Sequence, residues 1–303
     1  MENNNVLDFY RNTSLFTDLG LYTAFAKNLP SDIETLCSLL RHQIIHPFDL
    51  KDEEERNDPN SFYGDMTKIP KTSLIYENDL FPTAVAMMAE LLRRDSNFTI
   101  ERKIENKIHV CCRETSILLI AILKSKNIPA RTRCGFTHAV SEIDGAGDHW
   151  IVEYYNEIDK KWILVDPTMC YDSETLEYFH IDYPLIDMPR NQFIFAADAY
   201  LGLRNGKYQA EDIYCFSNPK TFGIKAAISE LFYDFHSLMN HEILFCQSPK
   251  YLKDSNYELT NDEYLELDEL ARLMLDPDRN FDELKHIWEN NEKFRILSGG
   301  MNH

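Results

Sequence analysis

The stretch whose reading decides the fold is residues 111–137, CCRETSILLIAILKSKNIPARTRCGFT. Two cysteines open it, an unbroken apolar run follows, and the pattern changes at Asn127-Ile128-Pro129. Over 112–126, Ile117, Leu118, Ile120, Ala121 and Ile122 make the segment apolar nearly all round, which predicts a helix inside a core. Asn127 suits the left-handed residue that ends such a helix. Beyond Pro129 the period falls to two. ARTRCGFTHAV (130–140), HWIVEYY (149–155) and KWILVDPT (161–168) are rich in aromatic and β-branched residues and read as strands joined by polar connectors. A buried helix followed by antiparallel strands defines an α+β core.

The flanks read as helical. In DIETLCSLLRHQIIH (32–46), Ile33, Leu36, Leu39, Leu40 and Ile44 form one stripe, with Ser31 as the expected N-cap and Glu34 three residues on. Residues 46–71, with proline, glycine and charge, predict a long loop, and 78–95 a second helix. After Pro167 helical patterns return at 191–207, 224–245, 261–275 and 281–291. The organisation expected is a helical region over 1–99, a core over 100–185 and a second helical region over 186–303. No Gly/Ser-rich linker separates them.

Composition narrows the function classes. The 303-residue chain is 44% hydrophobic and 12% aromatic, as a globular protein is. Its formal net charge of −19 argues against nucleic acid and anionic membrane as partners, since both require a basic footprint. No secretory signal pattern opens the sequence, and seven cysteines spread over a chain of this length suit reduced thiols, so a cytoplasmic location is expected. There is no CxxC pair and no DxDxDG loop, so neither a metal nor another cofactor is expected.

One constellation carries chemistry. A cysteine at the start of a buried helix faces unpaired N–H groups and the positive end of the helix dipole, which favour a thiolate and receive an oxyanion. His149 opens one strand and Asp166 closes the next. In an antiparallel hairpin the residue numbers of partners have a constant sum. A register pairing Tyr155 with Trp162 puts His149, Ile151, Glu153, Trp162, Leu164 and Asp166 on one face, where the carboxylate can orient the imidazole. A slip of one residue would separate them. His138 is the rival base, and Asp148 reads as a loop acid. His109 is a candidate oxyanion donor. Trp150 and Trp162 suit either core or substrate platform, and Arg131 and Arg133 either a substrate carboxylate or an ion pair.

These motifs together resemble the transglutaminase-like superfamily of papain-type cysteine enzymes. That family shows Cys-Arg-Asp-Phe-Ala, an apolar helix, Gly-Ile-Pro-Ala-Arg, a His-Trp strand start and a Trp-x-x-Val-Asp-Pro strand end. The resemblance implies a papain/transglutaminase-like α+β core. It also chooses between the cysteines: the nucleophile stands seventeen residues before the Pro of IPAR and directly before Arg, which is Cys112. Cys111 then becomes a bystander thiol. The implied catalytic set is Cys112, His149 and Asp166. The implied activity is acyl transfer through a thioester on a peptide, protein or small amide, to water or to an amine. Glu114, Thr115-Ser116 and Asn127 depart from the family pattern. The flanks are similar to those of a group of uncharacterised bacterial proteins. A non-catalytic interaction module on the same fold is the alternative. The sequence does not speak to oligomeric state.

Overall fold

The computed structural model describes residues 4–46, 77–139, 145–170, 176–177, 181–216, 218–249, 252 and 257–296. The long loop expected over 46–71 lies almost wholly outside them. Helices and strands are arranged in two compact units. One comprises Met1–Phe9, Arg131–Trp150 and Pro189–His303, and the other Tyr10–Ala130 and Ile151–Met188.

In the unit built from 10–130 and 151–188, helices α2 (Thr23–Lys27), α3 (Ile33–Gln43) and α4 (Ala84–Arg94) pack on α5 (Cys112–Ser125); α1 (Asn4–Arg11) precedes them in the chain. Every residue of α5 from Cys112 to Lys124 is buried, as its apolar surface requires. The helix ends with Lys126 as C-cap, and Asn127 comes next at φ 64°, as the sequence predicts. Helix α3 is capped by Asp32 rather than Ser31. The Asp32 carboxylate accepts from Thr35 N at 2.8 Å and Thr35 Oγ1 at 2.6 Å, and a carboxylate at the dipole's positive end displaces the neighbouring hydroxyl from that role. The segment expected as one helix over 78–95 is a helical turn at 77–80, closed by Phe81 N on Glu77 O at 2.9 Å, followed by α4 from Ala84, because Pro82 breaks the pattern and Thr83 caps the helix beyond it. A two-residue parallel pairing joins β1 (Ile44–Ile45) to β2 (Ile108–His109).

A six-stranded sheet has the order β6-β3-β4-β7-β8, with β5 pairing β4 off this path. Its strands are β3 (Ala130–Thr137), β4 (Ala146–Asn156), β5 (Lys161–Val165), β6 (Ile194–Phe195), β7 (Ile213–Cys215) and β8 (Asn218–Phe222). The three expected from the sequence are β3, β4 and β5. The sheet differs from a purely antiparallel one because β4 and β7 run parallel, Ala146 opposite Ile213. Segment 191–207, expected to be helix throughout, contains β6 before α6 (Ala196–Arg204). Gly135 makes that pairing possible: a Cβ there would lie 2.2 Å from Ile194 O.

In the unit containing residues 189–303, helix α7 (Ile224–Leu238) is buried from Ala226 to Leu238 and packs on α6, β7 and β8. Helix α8 (Asn261–Met274) packs on α6, and α9 (Phe281–Asn290) on α8. Within the same unit β3 is tied to α7 by a buried, two-pronged ion pair. Arg133 Nε and Nη2 each lie 2.9 Å from an oxygen of Asp234, which also accepts from Cys134 N.

Candidate active site

Cys112 is the first residue of α5, and Cys111 is the N-cap. The Cys111 side chain does not cap the helix. Its Sγ instead donates to Glu114 Oε2 at 2.7 Å, and Glu114 Oε1 accepts from Arg113 Nη1 at 2.5 Å. Arg113 also donates to Pro82 O at 3.3 Å and its guanidinium lies 5.0 Å from the centre of the Phe16 ring. The Arg-Glu pair directly after the cysteines is thus a buried clamp on the start of the helix. Burial, the hydrogen bond with the Cys112 thiol and the Glu114 charge push the Cys111 thiol well above the ordinary range. Cys111 is not the ordinary thiol that its loop-like sequence context suggests.

Asp166 comes directly after β5 and is buried. Its Oδ1 accepts from Thr168 N and Met169 N, both at 3.1 Å, and its own N–H donates to Leu185 O at 2.9 Å. Asp166 and the Thr168-Met169 amides therefore form a closed Asx turn that fixes the carboxylate. The β4–β5 register pairs Val152 with Val165, Glu153 with Leu164 and Tyr155 with Trp162. The parity is the one predicted, and the ladder ends at the Val152–Val165 pair, directly before Asp166.

His149 is buried, on β4, two residues before Ile151 and so on the face of the strand that Ile151 shares. It falls between the part of β4 paired with β7, residues 146–147, and the part paired with β5, residues 152–156. Of the other residues singled out, Trp150 is wholly buried. Its ring lies 5.7 Å from Phe245 in edge contact and 5.9 Å from Tyr233. Arg131 is buried, with Nη1 2.6 Å from Asp278 Oδ1. His109 is buried on β2, with its backbone N–H on the Glu77 carboxylate and its Nδ1 3.7 Å from Glu77 Oε2. His138 is exposed and its Nδ1–H donates to Gly145 O at 3.0 Å. Asp148 is a strand residue rather than a loop acid: β4 begins at Ala146, and the Asp148 carboxylate accepts from Phe216 N.

By unit, Cys112, His109 and Asp166 belong to one, and His149, Trp150 and Arg131 to the other. The Cys111–Glu114–Arg113 chain was missed from sequence, although Glu114 three residues after Cys111 is the spacing that such a contact needs. Among the described residues no three His, Cys, Asp or Glu side chains are grouped to hold a metal ion, and no helix is long and apolar enough to cross a membrane.

Residues 100–167 match the family model of the Transglutaminase-like superfamily, an interval that runs through α5, β3, β4 and β5 to Pro167. The residue-level resemblance and the family match thus fall on the same segment. No curated protein and no solved structure matches the chain.

Proposed function

We propose, from the premise that residues 100–167 form a transglutaminase-like domain, that the protein is a cysteine-dependent hydrolase or acyltransferase acting on an amide or peptide carbonyl. Cys112 is the nucleophile, His149 the general base and Asp166 the residue that orients His149. The observation that carries this reading is the position of Cys112. It is the first residue of a buried helix whose N-cap side chain is turned away to Glu114. The positive end of that helix favours the thiolate, and its first N–H groups suit a developing oxyanion.

In the proposed reaction His149 takes the Cys112 proton as sulfur adds to the carbonyl carbon. The tetrahedral oxyanion collapses, the C–N bond breaks and the amine leaves with the proton held by His149, giving a thioester on Cys112. Water or a second amine then adds, delivers its proton to His149 and releases the thiol. The fixed Asx turn at Asp166 and the β4–β5 parity support its orienting role.

The test uses p-nitrophenyl acetate, an activated acyl donor that needs no knowledge of the natural substrate. Peptide mapping is expected to find an acetyl group on Cys112, removable by hydroxylamine and absent from Cys112→Ala. Acetylation spread over the other cysteines, with none preferred, would favour a non-catalytic interaction module instead.

A further inference from the structure

We propose that Cys37 and Cys170 form a second thiol site, one that a peroxide oxidises to an intramolecular disulfide. Cys37 lies on α3, and Cys170 lies just past the Asp166 turn. Both line a cleft of about 520 Å³ whose walls include Arg41, Tyr183 and Leu185. The two thiols face the same cleft, and Cys170 is near enough to help hold the Cys37 proton on. The same two segments are joined a turn away, where Arg41 Nη1 donates to Thr168 O at 3.4 Å. Cys170 Sγ in turn donates to Asp166 O at 3.0 Å. This is a pair held in register in a solvent-reached cleft rather than a single buried thiol.

The surroundings divide the roles. Cys37 is 1% exposed, and the nearness of Cys170 and its own burial keep its proton on. Cys170 is only part-buried and is the member that a small oxidant meets first. A Cys170 thiolate attacks the peroxide: an S–O bond forms, the O–O bond breaks and hydroxide leaves, taking up a proton as water. Cys37 sulfur then attacks the sulfenic sulfur. An S–S bond forms, the S–O bond breaks, and the hydroxyl leaves as water with the Cys37 proton. Two thiols and one peroxide give one disulfide and two waters, with two electrons passing from sulfur to oxygen. The product lacks the S–H that donates to Asp166 O. Where Asp166 has the role proposed above, oxidation therefore loosens the turn that positions it.

The experiment treats the native protein with a few equivalents of hydrogen peroxide, blocks remaining thiols with N-ethylmaleimide and maps peptides without reduction. The expected result is a Cys37–Cys170 linked peptide that dithiothreitol reverses, formed far less in urea. It disappears in Cys170→Ser, whereas Cys37→Ser leaves a dimedone-reactive sulfenic acid at Cys170. The map reads the link whether or not the protein is active, so it stands apart from the test of Cys112. No linked peptide, or oxidation led by the exposed Cys246 with mixed pairings, would overturn the proposal.

Discussion

Cys111 gives its thiol hydrogen to Glu114, Sγ to Oε2 at 2.7 Å, at the N-cap of α5. Burial, the Cys112 thiol and the Glu114 charge all hold the Cys111 proton on. Glu114→Gln removes that charge and lowers the Cys111 pKa. At pH about 8.5, N-ethylmaleimide is expected to modify Cys111 in Glu114→Gln several-fold faster than in the parent, measured by peptide mapping. An unchanged rate would mean that Glu114 does not govern this thiol.

The buried Arg133–Asp234 pair makes a separate demand on stability. Asp234→Ala leaves a guanidinium without its carboxylate and strands Cys134 N. Breaking a buried pair from one side costs about 3–5 kcal/mol, and urea unfolding is expected to show a loss of that size. A loss below about 1 kcal/mol would mean that this pair is not what holds β3 to α7.

His236 sets an acid limit on the fold. It is wholly buried on α7, its Nδ1–H donates to Phe232 O at 2.8 Å and its Nε2 accepts from Ile296 N at 3.0 Å. Burial lowers its pKa from 6.5 to about 3. The folded state holds the neutral ring, while the unfolded chain takes up a proton below pH 6.5. The stability that His236 contributes is thus complete above pH 6.5 and is lost as pH falls toward 3, at about 1.4 kcal/mol per unit. Chemical denaturation at pH 7.0, 6.0 and 5.0 is expected to show that slope, and His236→Gln to flatten it.

The proposed roles separate the histidines. His149→Ala removes the general base and is expected to lower acyl transfer by about 10²–10⁴-fold. Asp166→Ala is expected to reduce it less, with the protein still folded by circular dichroism. His138, bonded at the surface to Gly145 O, is expected to be replaceable by Ala with most activity kept. Equal losses from His138→Ala and His149→Ala would assign the base to the wrong strand.

Much of this was legible because the signals are local. The apolar run from Ile117 to Leu123 and the left-handed Asn127 mark α5, and the aromatic, β-branched runs mark β3, β4 and β5. The β4–β5 parity comes from a short turn that leaves Tyr155 opposite Trp162. What stayed hidden depends on distant partners. Ile194-Phe195 is a strand because Gly135 lets it approach β3, and two residues carry no period of their own. Ile213–Cys215 lies parallel to β4 through contacts that no short window contains. The partner of Arg133 is a helix residue 101 positions away. The cap of α3 was misplaced by one residue because serine and aspartate compete for the same role and the carboxylate prevails.

The central claim is that Cys112, not Cys111, is the nucleophile, and alkylation at low pH tests it most directly. At about pH 6, where an ordinary thiol near pKa ~8.5 is almost wholly protonated, iodoacetamide is added and the label located by peptide mass spectrometry. Cys112 is expected to be labelled well ahead of Cys111, with His149→Ala slowing this labelling and Cys111→Ala leaving it intact. Preferential labelling of Cys111, or a Cys112 rate no faster than that of the exposed Cys246, would contradict the claim.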